Sequence, residues 1–438
     1  MIKTKLRSLA VTLFGKENNV FKRVIKEASF LVVGDIVSAI ISFISLAILL
    51  NYISPTVYGT LTLIMSYVLL VDSLVNFQTW QALIKFGSEK LHEEDHLGFM
   101  SLIKSSFLID ISTAILGGIL AFLLVDVCFD LIGIDPYYIN YLKVYCFTIC
   151  FHLIGMPTGV LRLFKRFDLL MMHKITIAIV KFVPILLLTL LEWDPNTVII
   201  IYMISSLIEY TSLFLLALYV LKKNGYSKWL SAKTNLQKPY ISFVLYSNLT
   251  SSINVPTKRL DVFFISNFLS VEMVSVYKFM QQIITYIDLI AASIYKAIYP
   301  HYATLIAKRE YKGAFSLFKK IFILFLCVLI PILILFPFIL EPIIKLLFGD
   351  FYASKWIIIM FFVAAKGVIY SFVGLDPLFM ALGYQKQNFY LTLFSNLMYL
   401  GILYLLIQTF GIYGVIIAIF VEGLFINVSK LIYVRRKN

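Results

Sequence analysis

Charged side chains fall in the middle of long apolar runs in this chain, and those are the positions where chemistry is expected. The cations are Lys181, Lys258, Arg259, Lys278, Lys296 and Lys366; the acids are Asp35, Asp72, Asp110, Asp261, Asp288, Asp376 and Glu422. An ionised group at the centre of a bilayer costs at least ~2.5–3.5 kcal/mol, so such groups face a partner or a wet cavity. The most informative cluster is Lys258-Arg259-Leu260-Asp261, which interrupts the run from Ile241 to Leu269. Pro256 removes a backbone hydrogen bond just before it and is expected to kink the helix there. Two neighbouring cations on a bent helix suit a phosphate or carboxylate, because arginine offers a planar fork and lysine a point charge. The competing reading is a local ion pair of either cation with Asp261. Lys181 and Lys366 lie deep in their runs and extend the candidate anion-binding set, whereas Lys278 and Lys296 lie near run ends, where an ammonium group can snorkel. Asp35, Asp72, Asp261, Asp288 and Asp376 are candidates for proton or sodium coupling, or for simple neutralisation of the lysines. Asp376-Pro377 joins an acid to a helix breaker and reads equally well as a hinge.

Other constellations carry less. Gln78, Gln81, Gln281 and Gln282 could meet sugar hydroxyls or bridge helices. His92 and His96 share a helical face beside Glu93, Glu94 and Asp95, but on a solvated stretch, so no metal is expected. Cys128, Cys146, Cys150 and Cys327 form no CxxC pair, and there is no Walker-type loop, HExxH or GxSxG. The expectation is a protein that is not an enzyme, needs no cofactor and does not hydrolyse ATP by itself.

The elements that must position these residues are membrane-spanning helices. Of 438 residues 61% are hydrophobic and only 14% charged, against roughly 45–50% and about 25% in soluble domains; the mean hydropathy is +0.91. Runs at 30–51, 59–77, 99–125, 138–161, 169–191, 197–221, 241–269, 274–299, 321–347, 356–382, 389–408 and 411–433 predict about twelve spans. They are too long and too little alternating for barrel strands. The polar stretches around Lys85–Gly98 and Lys222–Lys238 read as the longest loops. The first long run begins near Phe30, too far in for a cleavable signal.

The formal charge of +14 belongs to orientation rather than to nucleic acid. Basic residues crowd the N-terminal stretch, the loops after spans four, six and eight, and the C-terminus, while Asp126, Asp130 and Asp135 follow span three and Glu192 and Asp194 follow span five. Only Lys345 and Lys355, around the loop after span nine, break the pattern. Both termini are therefore expected in the cytoplasm. The four tryptophans, Trp80, Trp193, Trp229 and Trp356, fall at or beyond predicted span ends. The division reads as a basic interfacial segment at 1–28, a six-helix bundle at 29–223, a linker at 224–240 and a second six-helix bundle at 241–438. Internal similarity supports two equivalent halves. Asn51-Tyr52-Ile53-Ser54 matches Asn267-Phe268-Leu269-Ser270, the end of span six at Tyr219 matches that of span twelve at Tyr433, and Gly155-Met156-Pro157 matches Gly374-Leu375-Asp376-Pro377. With six spans each, the halves share orientation, so a pseudo-two-fold axis runs along the membrane normal.

Three segments carry a family resemblance. Ile53-Ser54-Pro55-Thr56-Val57-Tyr58-Gly59-Thr60-Leu61 resembles the turn after the first span of polysaccharide exporters; Lys258 to Ile265 with Ser270 to Tyr277 resembles their span-seven segment; and Leu161 to Phe167 resembles their segment after span four. The chain resembles the Wzx-type O-antigen flippases of the multidrug/oligosaccharidyl-lipid/polysaccharide exporter superfamily. That resemblance implies a twelve-helix, V-shaped transporter of the bacterial inner membrane. It would move undecaprenyl-diphosphate-linked oligosaccharide, the O-antigen or capsule repeat unit, from the cytoplasmic to the periplasmic leaflet by alternating access. Lys258 and Arg259, then Lys181 and Lys366, would hold the diphosphate in a basic cavity. Its partners would be the lipid-linked oligosaccharide, membrane lipid, and a polysaccharide polymerase and chain-length regulator. A cation-coupled multidrug antiporter of the same superfamily would instead need an acidic, aromatic cavity. A membrane polymerase would need a large periplasmic loop, and a passive channel would show no saturation.

Overall fold

The computed structural model of the chain describes residues 19–234, 238–252 and 259–435. Residues 1–18 of the N-terminal segment lie outside them, as do Pro256 and Lys258, whereas 19–28 of that segment are helical. Among the described residues every extended element is helical: α1 (Asn19–Tyr52), α2 (Pro55–Val75), α3 (Trp80–His92), α4 (His96–Ile132), α5 (Ile139–Cys150), α6 (Gly155–Leu163), α7 (Phe167–Leu190), α8 (Thr197–Lys223), α9 (Lys238–Ser252), α10 (Asp261–Phe268), α11 (Val271–Ala307), α12 (Tyr311–Phe348), α13 (Trp356–Ser371), α14 (Leu375–Ala381) and α15 (Gln385–Arg435). Nine described segments are long and apolar enough to cross a membrane. α15 is two spans joined at Gly411, whose φ of 56° and ψ of −133° are not helical. Among the described residues, α9 taken with α10 and the charged α11 bring the spans to twelve. The surface suits hydrocarbon: α12, for instance, exposes Val328, Phe338 and Leu346 along its length.

Local signals set the ends. Ser54 caps α2, accepting from the Val57 amide with Pro55 in the first turn, and Ser270 caps α11 in the same way through Met273. Asp95 caps α4; the Gly98 amide and then Lys90 hold its carboxyl below the ordinary value. Gly133 closes α4 in the left-handed region at φ 70°.

The expected polar loop at Lys85–Gly98 is corrected by α3. Residues 80–92 continue span two as an amphipathic helix, burying Ala82, Leu83 and Gly87, and only 93–95 turn. Its charged outer face gave it the look of a loop. Spans two and four are thus broken at 76–79 and 151–154, and span ten at 372–374. The breaks in spans four and ten fall on the two Gly-Pro motifs of the internal repeat.

The hydrophobic cores give the chain its shape. One cluster joins the halves at the face carrying the α1–α2 and α10–α11 turns, here the distal face; it includes Leu49, Leu61 and Tyr145 from the first half and Ile265, Phe279 and Leu403 from the second. Towards the opposite, basic face each half keeps its own core. Phe99, Val160 and Trp229 belong to one, and Tyr302, Phe318 and Phe379 to the other. α9, which follows the linker, lies with the first: Tyr240 meets Ser106 at 2.6 Å, and Phe86 packs edge-on against Tyr240 and Phe243. Trp229 is buried there rather than placed as an interfacial ring.

At the distal face the internal repeat becomes contact. Asn51 Nδ2 donates to Leu347 O at 2.7 Å, and Asn267 Nδ2 donates to Leu131 O at 2.7 Å. Donor and acceptor are each displaced by 216 residues (267 minus 51, 347 minus 131). The positive-φ glycines Gly133 and Gly349, again 216 apart, lie beside these bonds; a Cβ on either would come within 3.3 Å of an Asn or Ser side chain of the other half. Thr56 donates to Glu272 at 2.8 Å, and these two residues are also 216 apart. A Cβ on Gly59 would lie 2.1 Å from Val271 O, so only glycine allows this approach of α2 to α11. Cysteines placed at 56 and 272 in an otherwise cysteine-free chain are therefore expected to form a disulfide in membranes. Gly59→Val should sharply reduce its yield and cost about 1–3 kcal/mol of thermal stability. Efficient cross-linking in the valine variant would count against the close approach.

Candidate functional site

Two polar regions lie at mid-depth, one in each half. In the first half they form around the broken helices. A chain break in hydrocarbon frees amides that need partners, and Asp110 of α4 supplies both. Its carboxylate accepts from Thr79 N at 3.2 Å, just before α3, and from Met156 N at 2.5 Å, in the first turn of α6. The carboxyl group faces the positive ends of two half-helices. Gly155 leaves the room: a Cβ there would lie 2.6 Å from the carboxylate. Next to it, His152 Nδ1 meets Asp72 Oδ2 at 2.7 Å, with both side chains buried. Asn76 closes the cluster, donating to Asp72 at 2.9 Å and to His152 O at 3.0 Å, and the Tyr210 ring lies 4.4 Å from the His152 ring.

In the second half, α10, α11, α13 and both spans of α15 enclose a chamber of about 390 Å³. Asp261, Lys278, Asp288, Lys366 and Glu422 line it with Gln281, Asn396, Tyr277, Tyr370 and Tyr399. The buried Asp261 accepts from the Tyr277 hydroxyl and from Val262 N, and Asp288 accepts from Tyr370. Ser395 donates to Glu422 at 3.3 Å. Lys278, expected to snorkel at a span end, instead faces this chamber, because the start of α11 is covered by α2. Three carboxylates beside two lysines give the chamber mixed charge, with one acid in excess, rather than a basic lining. Arg259, two residues before the chamber's Asp261 in the chain, lies within electrostatic reach of Asp261, Asp72 and Tyr210, and so near acids of both polar regions.

The structure thus brings Lys366, Asp261 and Asp288 together, with Arg259 alongside. Asp376 lines an adjoining cavity with Asp288 and Tyr370, and several candidates are held in ion pairs of their own. Lys181 pairs with Glu209 at 3.0 Å inside the first half, Asp35 pairs with Lys174, and Asp376 pairs with Lys430. Lys258 lies outside the described residues. Sequence reasoning passed over His152, Lys174, Glu209 and Lys430, the partners of four of its own candidates. Lys174 and Glu209 carried the usable signal, a charge in mid-run; His152, next to the Gly-Pro break, carried only its position. Gln78 meets Asn248 of α9 through its backbone, Asn248 Oδ1 accepting from Gln78 N at 2.8 Å.

Solved structures share this architecture. The inward-facing conformation of a multidrug resistance MATE family transporter of the MOP superfamily superposes with a TM-score of 0.72 at 14% identity, over 91% of this chain and 94% of that one. An outward-facing conformation of such a transporter gives 0.60 at 14% identity, over 95% of each chain. The fold is the two-lobed helical fold of that superfamily, as the sequence predicted. A model described as polysaccharide biosynthesis protein matches residues 24–306, more than half of the chain, which belongs to that family. It is also 28% identical over 159 residues to the inner membrane protein YghQ of Escherichia coli (strain K12), a match covering 36% of this chain and 44% of that protein. The match therefore spans less than half the length of the curated relative. Family and fold make the chain a multi-pass membrane protein of the polysaccharide biosynthesis family.

His152→Ala strands the buried Asp72 with only Asn76 and is expected to lower stability by about 3–5 kcal/mol. His152→Gln, which retains a donor, should recover part of that. Unfolding in detergent followed by tryptophan fluorescence measures both, and an unchanged midpoint for the alanine variant would refute the pairing.

Proposed function

We propose that this protein is a flippase that carries undecaprenyl-diphosphate-linked oligosaccharide across the bacterial inner membrane, from the cytoplasmic to the periplasmic leaflet, by alternating access. The observation that carries the reading is the polar chamber at mid-depth, with Arg259 within electrostatic reach of its Asp261, between halves that share a core only at the distal face. A sugar-diphosphate cannot enter hydrocarbon, while its prenyl tail can stay there. The chamber's amides, carboxylates and tyrosines suit sugar hydroxyls, and Arg259 with Lys366 suits the diphosphate. The lysine and arginine bias sets the basic face, and with it both termini, in the cytoplasm. The separate cores then describe an inward-facing state, and the better superposition on the inward-facing neighbour than on the outward-facing one supports it. Lys258 and Lys181 remain part of the proposal as secondary anion contacts, with Asp35, Asp72, Asp261, Asp288 and Asp376 as coupling or pairing groups.

Arg259→Ala and Lys366→Ala are expected to slow flipping by about tenfold to a hundredfold each, the value of a charge-assisted hydrogen bond. Lipid-linked units should then accumulate on the cytoplasmic leaflet of cells relying on the variant. Wild-type surface polysaccharide from both variants would defeat the assignment of these residues. The three carboxylates and three tyrosines of the chamber favour a second reading, a cation-coupled multidrug antiporter. Cells expressing the protein would in that case gain resistance to cationic drugs without any change in surface polysaccharide.

A further inference from the structure

The helix α10 has two unlike faces. Asp261 and Ile265 are buried in the second half, Asp261 in the wall of the polar chamber. Leu260, Phe264 and Phe268, at helical spacing on another face, line a separate groove of about 500 Å³. Its opposite wall comes from the first half, with Tyr67 and Val71 of α2 and Leu124 of α4. Among the described residues lining this groove none is charged. Its bordering polar groups are already satisfied: the Tyr67 hydroxyl donates to Ala121 O at 2.7 Å, and Asn267 Nδ2 donates to Leu131 O at 2.7 Å. The groove therefore offers hydrocarbon contact and nothing for a headgroup. Leu124 and Phe268 are exposed on the protein surface, so the groove opens sideways to lipid.

We infer that this groove seats the isoprenoid chain of the lipid-linked substrate while its diphosphate lies at Arg259 and its sugars occupy the chamber. The inference rests on the flippase reading above. What selects this occupant is continuity. Groove and chamber meet at consecutive residues, Leu260 and Asp261, and Arg259 precedes both. A molecule bound across that junction must be apolar on one side, anionic in the middle and polar on the other, which is the order of parts in a prenyl-diphosphate-sugar. The volume lies within the roughly 300–1,000 Å³ typical of small-ligand sites. Because the walls belong to different halves, and the bonds from Ser266 and Asn267 to Gly133 and Leu131 span the same seam, the chain would sit where the halves meet at the distal face.

The test uses full-length protein in proteoliposomes and two substrates with the same sugar-diphosphate, one on undecaprenol and one on geraniol. Val71→Trp and Leu124→Trp fill the groove from the first half. Each is expected to lower the ratio of undecaprenyl to geranyl transport on the order of tenfold, because the long chain loses more buried apolar contact than the ten-carbon chain. The ratio is taken within one preparation, so a partly misfolded variant does not mimic the effect. As a second arm, benzoylphenylalanine at position 264 should cross-link undecaprenyl diphosphate in preference to phosphatidylethanolamine. A wild-type ratio in both tryptophan variants, or equal labelling by the two lipids, overturns the groove assignment while leaving flipping intact. Absence of transport of either substrate by the wild-type protein overturns the flippase reading itself.

Discussion

Inside hydrocarbon a broken helix has no water to turn to, and the arrangement of the first half depends on how that demand is met. Spans two and four both stop at mid-depth, and one carboxylate, Asp110, receives amides from each restart. The acid is held by two helix N-termini and holds them in turn. Asp72, His152 and Asn76 sit on the other side of the same breaks and satisfy one another. A polar cluster can therefore exist at this depth without opening the first half to water. The second half solves the matter differently, gathering its charges around an open chamber of about 390 Å³.

This contrast sorts the intramembrane charges by role. Lys181 with Glu209, Lys174 with Asp35, and Lys430 with Asp376 each tie helices within one half. Removing one member of such a pair leaves a charge stranded, so these residues matter first for folding. Arg259 is different in kind. It lies near acids of both halves, at the point where a helix from the second half reaches the first. Its loss should be felt as a change in what the two halves see of each other.

Much of the fold was legible because hydropathy, Gly-Pro breaks and basic loops act locally along the chain. The motif Asn51 to Ser54 and its copy at Asn267 to Ser270 declared the two halves before any contact was known. The site was less legible. Which acid meets which lysine depends on helix rotation and depth, and no run of residues encodes the meeting of Lys181 with Glu209. Lys278 looked like a snorkelling end residue because its cover, α2, is more than 200 positions away in sequence. α3 was hidden by the polarity of the face that leaves the core. The resemblance implied a basic cavity, with the acids open to a pairing role; which acids would line it with the lysines depended on positions that the sequence does not give.

The contact between Thr56 and Glu272 has a consequence for how such a molecule can arise. On a two-fold axis every residue faces its own counterpart, so a dimer of identical halves would set threonine against threonine or glutamate against glutamate there. The first offers a weak bond and the second a repulsion beside apolar neighbours. Joining the copies in one polypeptide frees the two positions to diverge, one into a donor and the other into an acceptor. Fusion of an ancestral pair thus makes possible a seam that no symmetric assembly could have.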